Sequence, residues 1–202
     1  MPIELKICGI NSEAIIQTIE KIGGCKYLGF VFYPPSPRNI SLEQSLKLTS
    51  IVSQNIKKVA VLVNPEISFI EKIKDQFDYL QIYDCEPAQL KKIKLLSNKK
   101  IIKAIKVKKK DDINLYKQYI GITDEFLFDS SGMEKSFSFE WKYLKNIQIK
   151  DWFLAGGITI DNLELAQSIT KKIDISSGLE DNPGIKSAKK ILDFLKKVKN
   201  YD

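Results

Sequence analysis

Leu5-Lys6-Ile7-Cys8-Gly9 reads as a short apolar strand that ends on a thiol and a glycine, with a helical pattern beginning just beyond it. A strand followed this closely by a helix is one β-α unit, and repeated β-α units build parallel sheets. In such sheets chemistry collects at the carboxyl ends of the strands, which makes Cys8 the first candidate for a catalytic residue.

The same alternation runs through the chain. Apolar runs at 3–9, 27–33, 58–63, 79–83, 101–107, 125–129, 151–155 and 173–176 predict strands. Helical patterns follow at 11–23, 41–55, 66–76, 86–97, 109–120, 139–147, 159–170 and 184–199. Ser41 with Gln44 three residues on resembles a capping box, and Pro65 and Pro87 stand where a first-turn proline is tolerated. Eight such units within 202 residues predict a single (β/α)8 TIM barrel domain spanning 1–202. A doubly wound open sheet is the other arrangement, but it rarely uses eight units this regular.

Composition narrows the function. A net charge of +7 permits nucleic-acid binding, yet the chain is rich in lysine and has a single arginine, Arg38, where base and phosphate recognition favours arginine forks. No nucleic-acid partner is expected. No apolar run reaches the roughly eighteen residues that cross a bilayer, and Met1-Pro2-Ile3-Glu4 lacks a basic-then-apolar leader. The expected setting is therefore cytoplasmic, without a membrane partner. The three cysteines, Cys8, Cys25 and Cys85, have neither zinc spacing nor a disulfide pattern, so no metal is expected. Histidine is absent, which excludes His-assisted nucleophiles and leaves Cys, Asp, Glu and Lys for acid–base work.

In a closed barrel the unusual residues fall on the loops after strands: Cys8-Gly9, Pro34-Pro35-Ser36-Pro37-Arg38, Asp129-Ser130-Ser131-Gly132, Gly156-Gly157 and Ser176-Ser177-Gly178. Loops after strands seven and eight of such barrels commonly bind phosphate through backbone N–H groups, although a turn needing positive φ explains a Gly-Gly equally well. Asp129 closes an apolar strand and could present a carboxyl group at the rim, but turns and helix caps also use aspartate there. Strand alternation puts Lys6 on the face of Cys8 and Asp174 on the face of Ser176, with strands one and eight adjacent. A lysine pointing into a barrel needs an anion, so Lys6 is expected to pair with Asp174 beneath the site. Its charge is also expected to lower the pKa of Cys8.

In order along the chain, Lys6-Ile7-Cys8-Gly9-Ile10, Leu28-Gly29-Phe30-Val31-Phe32 through Ser36-Pro37-Arg38, Val61-Leu62-Val63-Asn64, Leu80-Gln81, Ile102-Lys103-Ala104, Leu127-Phe128-Asp129-Ser130, Leu154-Ala155-Gly156-Gly157 and Asp174-Ile175-Ser176-Ser177-Gly178-Leu179-Glu180 resemble phosphoribosylanthranilate isomerase of tryptophan biosynthesis. The resemblance implies a (β/α)8 barrel that performs an Amadori rearrangement of a small phosphorylated substrate, without a cofactor. It implies Cys8 as general base and Asp129 as general acid. It further implies Arg38 on the anthranilate carboxylate, Gln81 in the pocket, and Gly156, Gly157, Ser177 and Gly178 on the phosphate, with Ser176 alongside. The assembly expected is a monomer or a weak homodimer.

Two stretches depart from the family pattern. Tyr83-Asp84 stands where His-Gly is common, and Met133-Glu134-Lys135-Ser136-Phe137-Ser138 replaces a glycine-rich turn, with Lys135 a candidate charge towards the phosphate. Another sugar-phosphate isomerase on the same barrel and a non-catalytic phosphate-binding barrel are the alternative functions.

Overall fold

The computed structural model describes residues 3–130 and 141–199. Strands β1 (Glu4–Cys8), β2 (Tyr27–Phe32), β3 (Lys57–Val63), β4 (Tyr79–Tyr83), β5 (Lys100–Val107), β6 (Glu125–Ser130), β7 (Trp152–Leu154) and β8 (Lys172–Ile175) pair in sequence order, each parallel to the next. Strand β8 pairs back onto β1 and closes the barrel, so the open-sheet alternative is excluded. The helices α1 (Glu13–Ile22), α2 (Leu42–Ser50), α3 (Ile67–Ile73), α4 (Pro87–Ser97), α5 (Leu163–Gln167) and α6 (Ala188–Lys199) lie in the expected intervals.

Local chemistry explains several of these boundaries. The Ser41 hydroxyl accepts from the Gln44 backbone N–H while the Gln44 side chain accepts from the Ser41 N–H, a complete capping box. Pro87 takes the first helical position of α4. Pro65 instead lies outside α3, one residue before the cap Glu66.

Three predicted helices depart from the expected form. The fifth, Lys110–Tyr119, is a 3-10 helix whose buried Ile113, Tyr116 and Tyr119 recur every third residue, the spacing that aligns on one face at three residues per turn. The segment predicted as helix from 184 begins as a strand instead. Gly184, at φ 82°, turns an antiparallel hairpin of β9 (Glu180–Asn182) and β10 (Ile185–Lys186), and α6 starts only at Ala188. The sixth helical interval holds a 3-10 helix, Trp141–Asn146.

The strands are buried on both faces, as parallel barrel strands must be. Outward residues such as Leu28, Phe30, Leu80, Ile105 and Phe128 pack against the helices, while Tyr27, Val59, Val61, Tyr79, Ile102, Leu127 and Phe153 fill the barrel. Lys6 is 0 % exposed inside it and lies 2.9 Å from Asp174, its register partner across the β1–β8 seam. The expected pair is therefore present. Gly29 on β2 makes room for it, because a Cβ there would come within 3.0 Å of Lys6 Nζ and 2.9 Å of Cys8 Sγ.

Removing one partner of this buried pair leaves the other uncompensated, which costs far more than replacing both. Lys6→Met is expected to lower stability by about 3–5 kcal/mol, and Lys6→Met with Asp174→Leu to recover most of that loss, as read by urea denaturation.

Candidate active site

The carboxyl ends of the strands surround a cavity of about 1020 Å³. Cys8 from β1, Arg38 from the loop after β2, Tyr83 from β4 and Asp129 from β6 line it, together with Gly156, Gly157, Ser176, Ser177, Gly178 and Glu180. The topology thus brings together all but three of the residues that the sequence singled out. Lys6 and Gln81 lie beneath the cavity in the barrel, and Lys135 falls outside the described residues.

Asp129 is half-buried, and desolvation pushes its carboxyl up to about 6; the Tyr83 hydroxyl, donating to Oδ2 at 3.0 Å, works in the opposite direction. Asp174 repels the charged form and Lys6 attracts it, so the ion pair below largely cancels at this distance. A carboxyl group titrating near 6 can hold a proton to donate and can give it up within the physiological range.

Cys8 corrects an expectation. Its thiol is raised, not lowered: burial is the largest influence and disfavours the thiolate, while Lys6 and Lys186 offset only part of it. The ammonium of Lys6 is already committed to Asp174, whose own charge opposes the thiolate.

Arg38 is presented by a loop folded on itself. Asn39 Oδ1 accepts from the Tyr33 N–H, and Ser36 Oγ accepts from the Arg38 N–H. The guanidinium forms a two-pronged pair with Glu180, Nε and Nη2 each donating at 2.7 Å. Lys186 Nζ donates to the same carboxylate at 2.5 Å and to both oxygens of Ser176 at 3.2 Å, while Ser176 Oγ donates to the Cys8 carbonyl at 3.0 Å. One network thus runs from Arg38 through Glu180 and Lys186 to the backbone of Cys8. Ser176, expected beside the phosphate, borders the cavity but spends its hydroxyl on holding Cys8.

Gln81 does not line the cavity. It is 0 % exposed inside the barrel, one layer below, with Nε2 donating to the Tyr83 hydroxyl at 3.2 Å. The β-strand period of two explains this placement, since Gln81 and Tyr83 share the inward face of β4 and the outer of the two covers the inner. Lys135 lies outside the described residues.

Gly156 and Gly157 adopt positive φ, 87° and 68°, and Gly178 lies so close to the preceding loop that a Cβ would meet the Ile158 carbonyl oxygen at 2.1 Å. The two turns therefore abut, forming one edge of the cavity with exposed backbone.

Sequence reasoning passed over Glu180, Lys186 and Tyr83 as working parts. A buried lysine and glutamate on either side of Pro183-Gly184 can be found only once the hairpin is recognised, and Tyr83 stood out solely as a departure. Among the described residues no group of three His, Cys, Asp or Glu side chains could hold a metal ion, and no helix is long and apolar enough to cross a membrane.

A closed (β/α)8 barrel with a carboxyl group and a thiol facing one cavity at its carboxyl face is the architecture of a TIM-barrel enzyme. The family model for N-(5'phosphoribosyl)anthranilate (PRA) isomerase matches residues 5–197, and the chain belongs to that family. An N-(5'-phosphoribosyl)anthranilate isomerase of Paramagnetospirillum magneticum is 33% identical over 210 residues, covering 97% of each chain. The crystal structure of phosphoribosyl anthranilate isomerase from Thermotoga maritima superposes with a TM-score of 0.88 at 26% identity, covering 98% of this chain and 99% of that one. A further solved phosphoribosyl anthranilate isomerase, in complex with reduced 1-(o-carboxyphenylamino)-1-deoxyribulose 5-phosphate, is similar with a TM-score of 0.83 at 26% identity, over 98% of this chain and 99% of that one.

Arg38 and Lys186 hold the Glu180 carboxyl down at about 2 despite its burial. A depressed carboxyl stabilises the fold above its unfolded pKa near 4.5, and that contribution fades as pH falls towards 2. Glu180→Gln is expected to cost about 3 kcal/mol at neutral pH and to converge with the parent protein near pH 2 in thermal melts.

Proposed function

We propose that the protein converts N-(5-phosphoribosyl)anthranilate to 1-(2-carboxyphenylamino)-1-deoxyribulose 5-phosphate, with Asp129 as general acid and Cys8 as general base. The observation that carries this reading is that one cavity is lined by a carboxyl group titrating near 6 and a thiol on different strands of the barrel. In the rearrangement the bond between C1′ and the ring oxygen breaks, and that oxygen takes the proton of Asp129 as the furanose opens to an imine. The C2′ proton then leaves to Cys8 and its electron pair forms the enamine; C1′ next takes a proton from the Cys8 thiol while the C2′ hydroxyl gives its proton to the Asp129 carboxylate, which yields the ketone and restores both groups. One acid and one base carry every proton in this sequence.

The remaining lining suits the two ends of that substrate. Arg38 spends two of its five N–H donors on Glu180, which leaves three for a planar carboxylate. Glu180 thereby fixes the guanidinium plane before substrate arrives. At the other end, the abutting turns at 156–157 and 177–178 offer backbone N–H groups and space for a phosphate. The lysine that fills the barrel floor and the hairpin that holds Arg38 carry no proton in the reaction; they keep the reacting groups in place.

Each proton-transfer group acts in the transition state, so its removal should be seen in kcat. Asp129→Asn and Cys8→Ser are expected to lower kcat roughly 10²–10⁴-fold while changing KM little, and Arg38→Ala to act chiefly on KM. Fluorescence-monitored consumption of freshly generated phosphoribosylanthranilate measures all three. Full turnover by either proton-transfer variant would sink the assignment.

The pH profile follows from the same two groups. The working form needs Asp129 protonated and Cys8 ionised, although Asp129 titrates near 6 and Cys8 above the ordinary thiol value. Its population is small but constant between those two points, and it falls tenfold per pH unit below the lower one. kcat/KM is expected to be level from about pH 6 up to the Cys8 titration and to drop on acidification below about pH 6; a steady decline from pH 6 upwards would contradict the roles given to the two groups.

A further inference from the structure

Tyr83 and Gln81 stand one above the other on the inward face of β4, and their hydrogen bonds point in one direction. Gln81 Nε2 donates to the Tyr83 hydroxyl at 3.2 Å, and that hydroxyl donates to Asp129 Oδ2 at 3.0 Å. The direction is forced by chemistry. An amide NH₂ can only donate, so the phenolic oxygen facing it must accept, and the single phenolic proton is left for the carboxylate. Were the amide reversed, the phenol would give its proton to Gln81 and turn a lone pair towards Asp129, an arrangement that repels a carboxylate.

The barrel keeps this orientation at a cost. Gln81 Oε1 is buried and has no hydrogen-bond partner among the described residues, a condition that buried amides rarely tolerate. Satisfying Oε1 by reversing the amide would sacrifice the donor that aligns Tyr83. We propose that Tyr83 is the positioning residue of the Asp129 carboxyl group, and that Gln81, from the layer beneath the cavity, sets the direction in which the tyrosine donates. This rests on the reading of Asp129 as the acid. The relay holds one carboxylate oxygen and so leaves the other as the natural carrier of the transferred proton, aimed away from Tyr83.

Among the described residues, the rest of the surroundings does not duplicate the relay. From β1, Lys6 and Cys8 face Asp129, Lys6 being tied to Asp174 of β8; Arg38 after β2 is tied to Glu180. From β5, Lys106 lies level with Asp129 but pairs with Asp84, and the inward residues of β3 and β7, Val61, Val63 and Ala155, carry no charge. The backbone N–H of Ser130 assists Asp129 from its own strand, and among the described residues Tyr83 is the side-chain donor to this carboxyl group.

The test is a comparison of Tyr83→Phe and Gln81→Met with the parent protein. Tyr83→Phe removes the hydroxyl and keeps the ring; a hydrogen bond to a charged group is worth enough to move the Asp129 titration upwards by about one pH unit. That titration is followed by carbon NMR of aspartate-labelled protein without substrate, and by the acid limb of kcat/KM, which should move with it. A drop of about tenfold in kcat with KM kept within about twofold is expected alongside. Gln81→Met, which leaves the cavity lining unchanged, should move the same titration in the same direction by less. An unmoved Asp129 titration in both variants overturns the proposal, whatever their activity. The reading of Asp129 as acid is judged separately by Asp129→Asn: if that variant turns over normally, the acid is misassigned, whereas an inactive Asp129→Asn with unmoved titrations in the β4 variants refutes only the relay.

Discussion

Closing an eight-stranded sheet makes neighbours of β1 and β8, and the seam between them is joined by the buried pair of Lys6 and Asp174, 168 residues apart in sequence. An ammonium group with no exposure survives there because its anion sits in register across the seam and Gly29 leaves the space. Both strands then continue upward into the site, β1 to Cys8 and β8 to Ser176. The closure of the barrel and the position of the thiol are therefore one structural event. Any shift of β8 against β1 would move Cys8 through the Ser176 hydrogen bond to its carbonyl.

The site above that pair is organised by two hydrogen-bond systems that meet at the cavity. One comes from the hairpin after β8, where Glu180 and Lys186 hold Arg38 from one side and the backbone of Cys8, through Ser176, from the other. The second comes from within the barrel along β4 and ends on Asp129. The first fixes the guanidinium plane of Arg38 and the second fixes the carboxyl group of Asp129. Desolvation raises both Asp129 and Cys8. A carboxyl group kept partly protonated is suited to giving up a proton. A thiol kept largely protonated makes a sparse but strong base, and that follows chiefly from its burial.

The regular spacing of apolar runs determined the strands almost to the residue, because parallel barrel strands are buried on both faces and therefore read as short continuous apolar stretches. Composition without histidine, one arginine, and the thiol at the end of β1 determined which residue types could do the chemistry. Alternation even determined the Lys6–Asp174 pair, since both partners lie on inward faces of strands that closure makes adjacent. The tertiary structure alone decided three matters. It turned residues 180–186 into a hairpin that recruits Glu180 and Lys186, because an antiparallel return over Pro183-Gly184 brings together residues whose sequence reads as the start of a helix. It decided that Cys8 is raised, because burial depends on everything packed around the thiol and outweighs a cation already paired elsewhere. And it placed Gln81 beneath Tyr83 and not at the cavity, since depth along a strand inside a closed barrel is set by the layers of the neighbouring strands, which no single stretch of sequence contains.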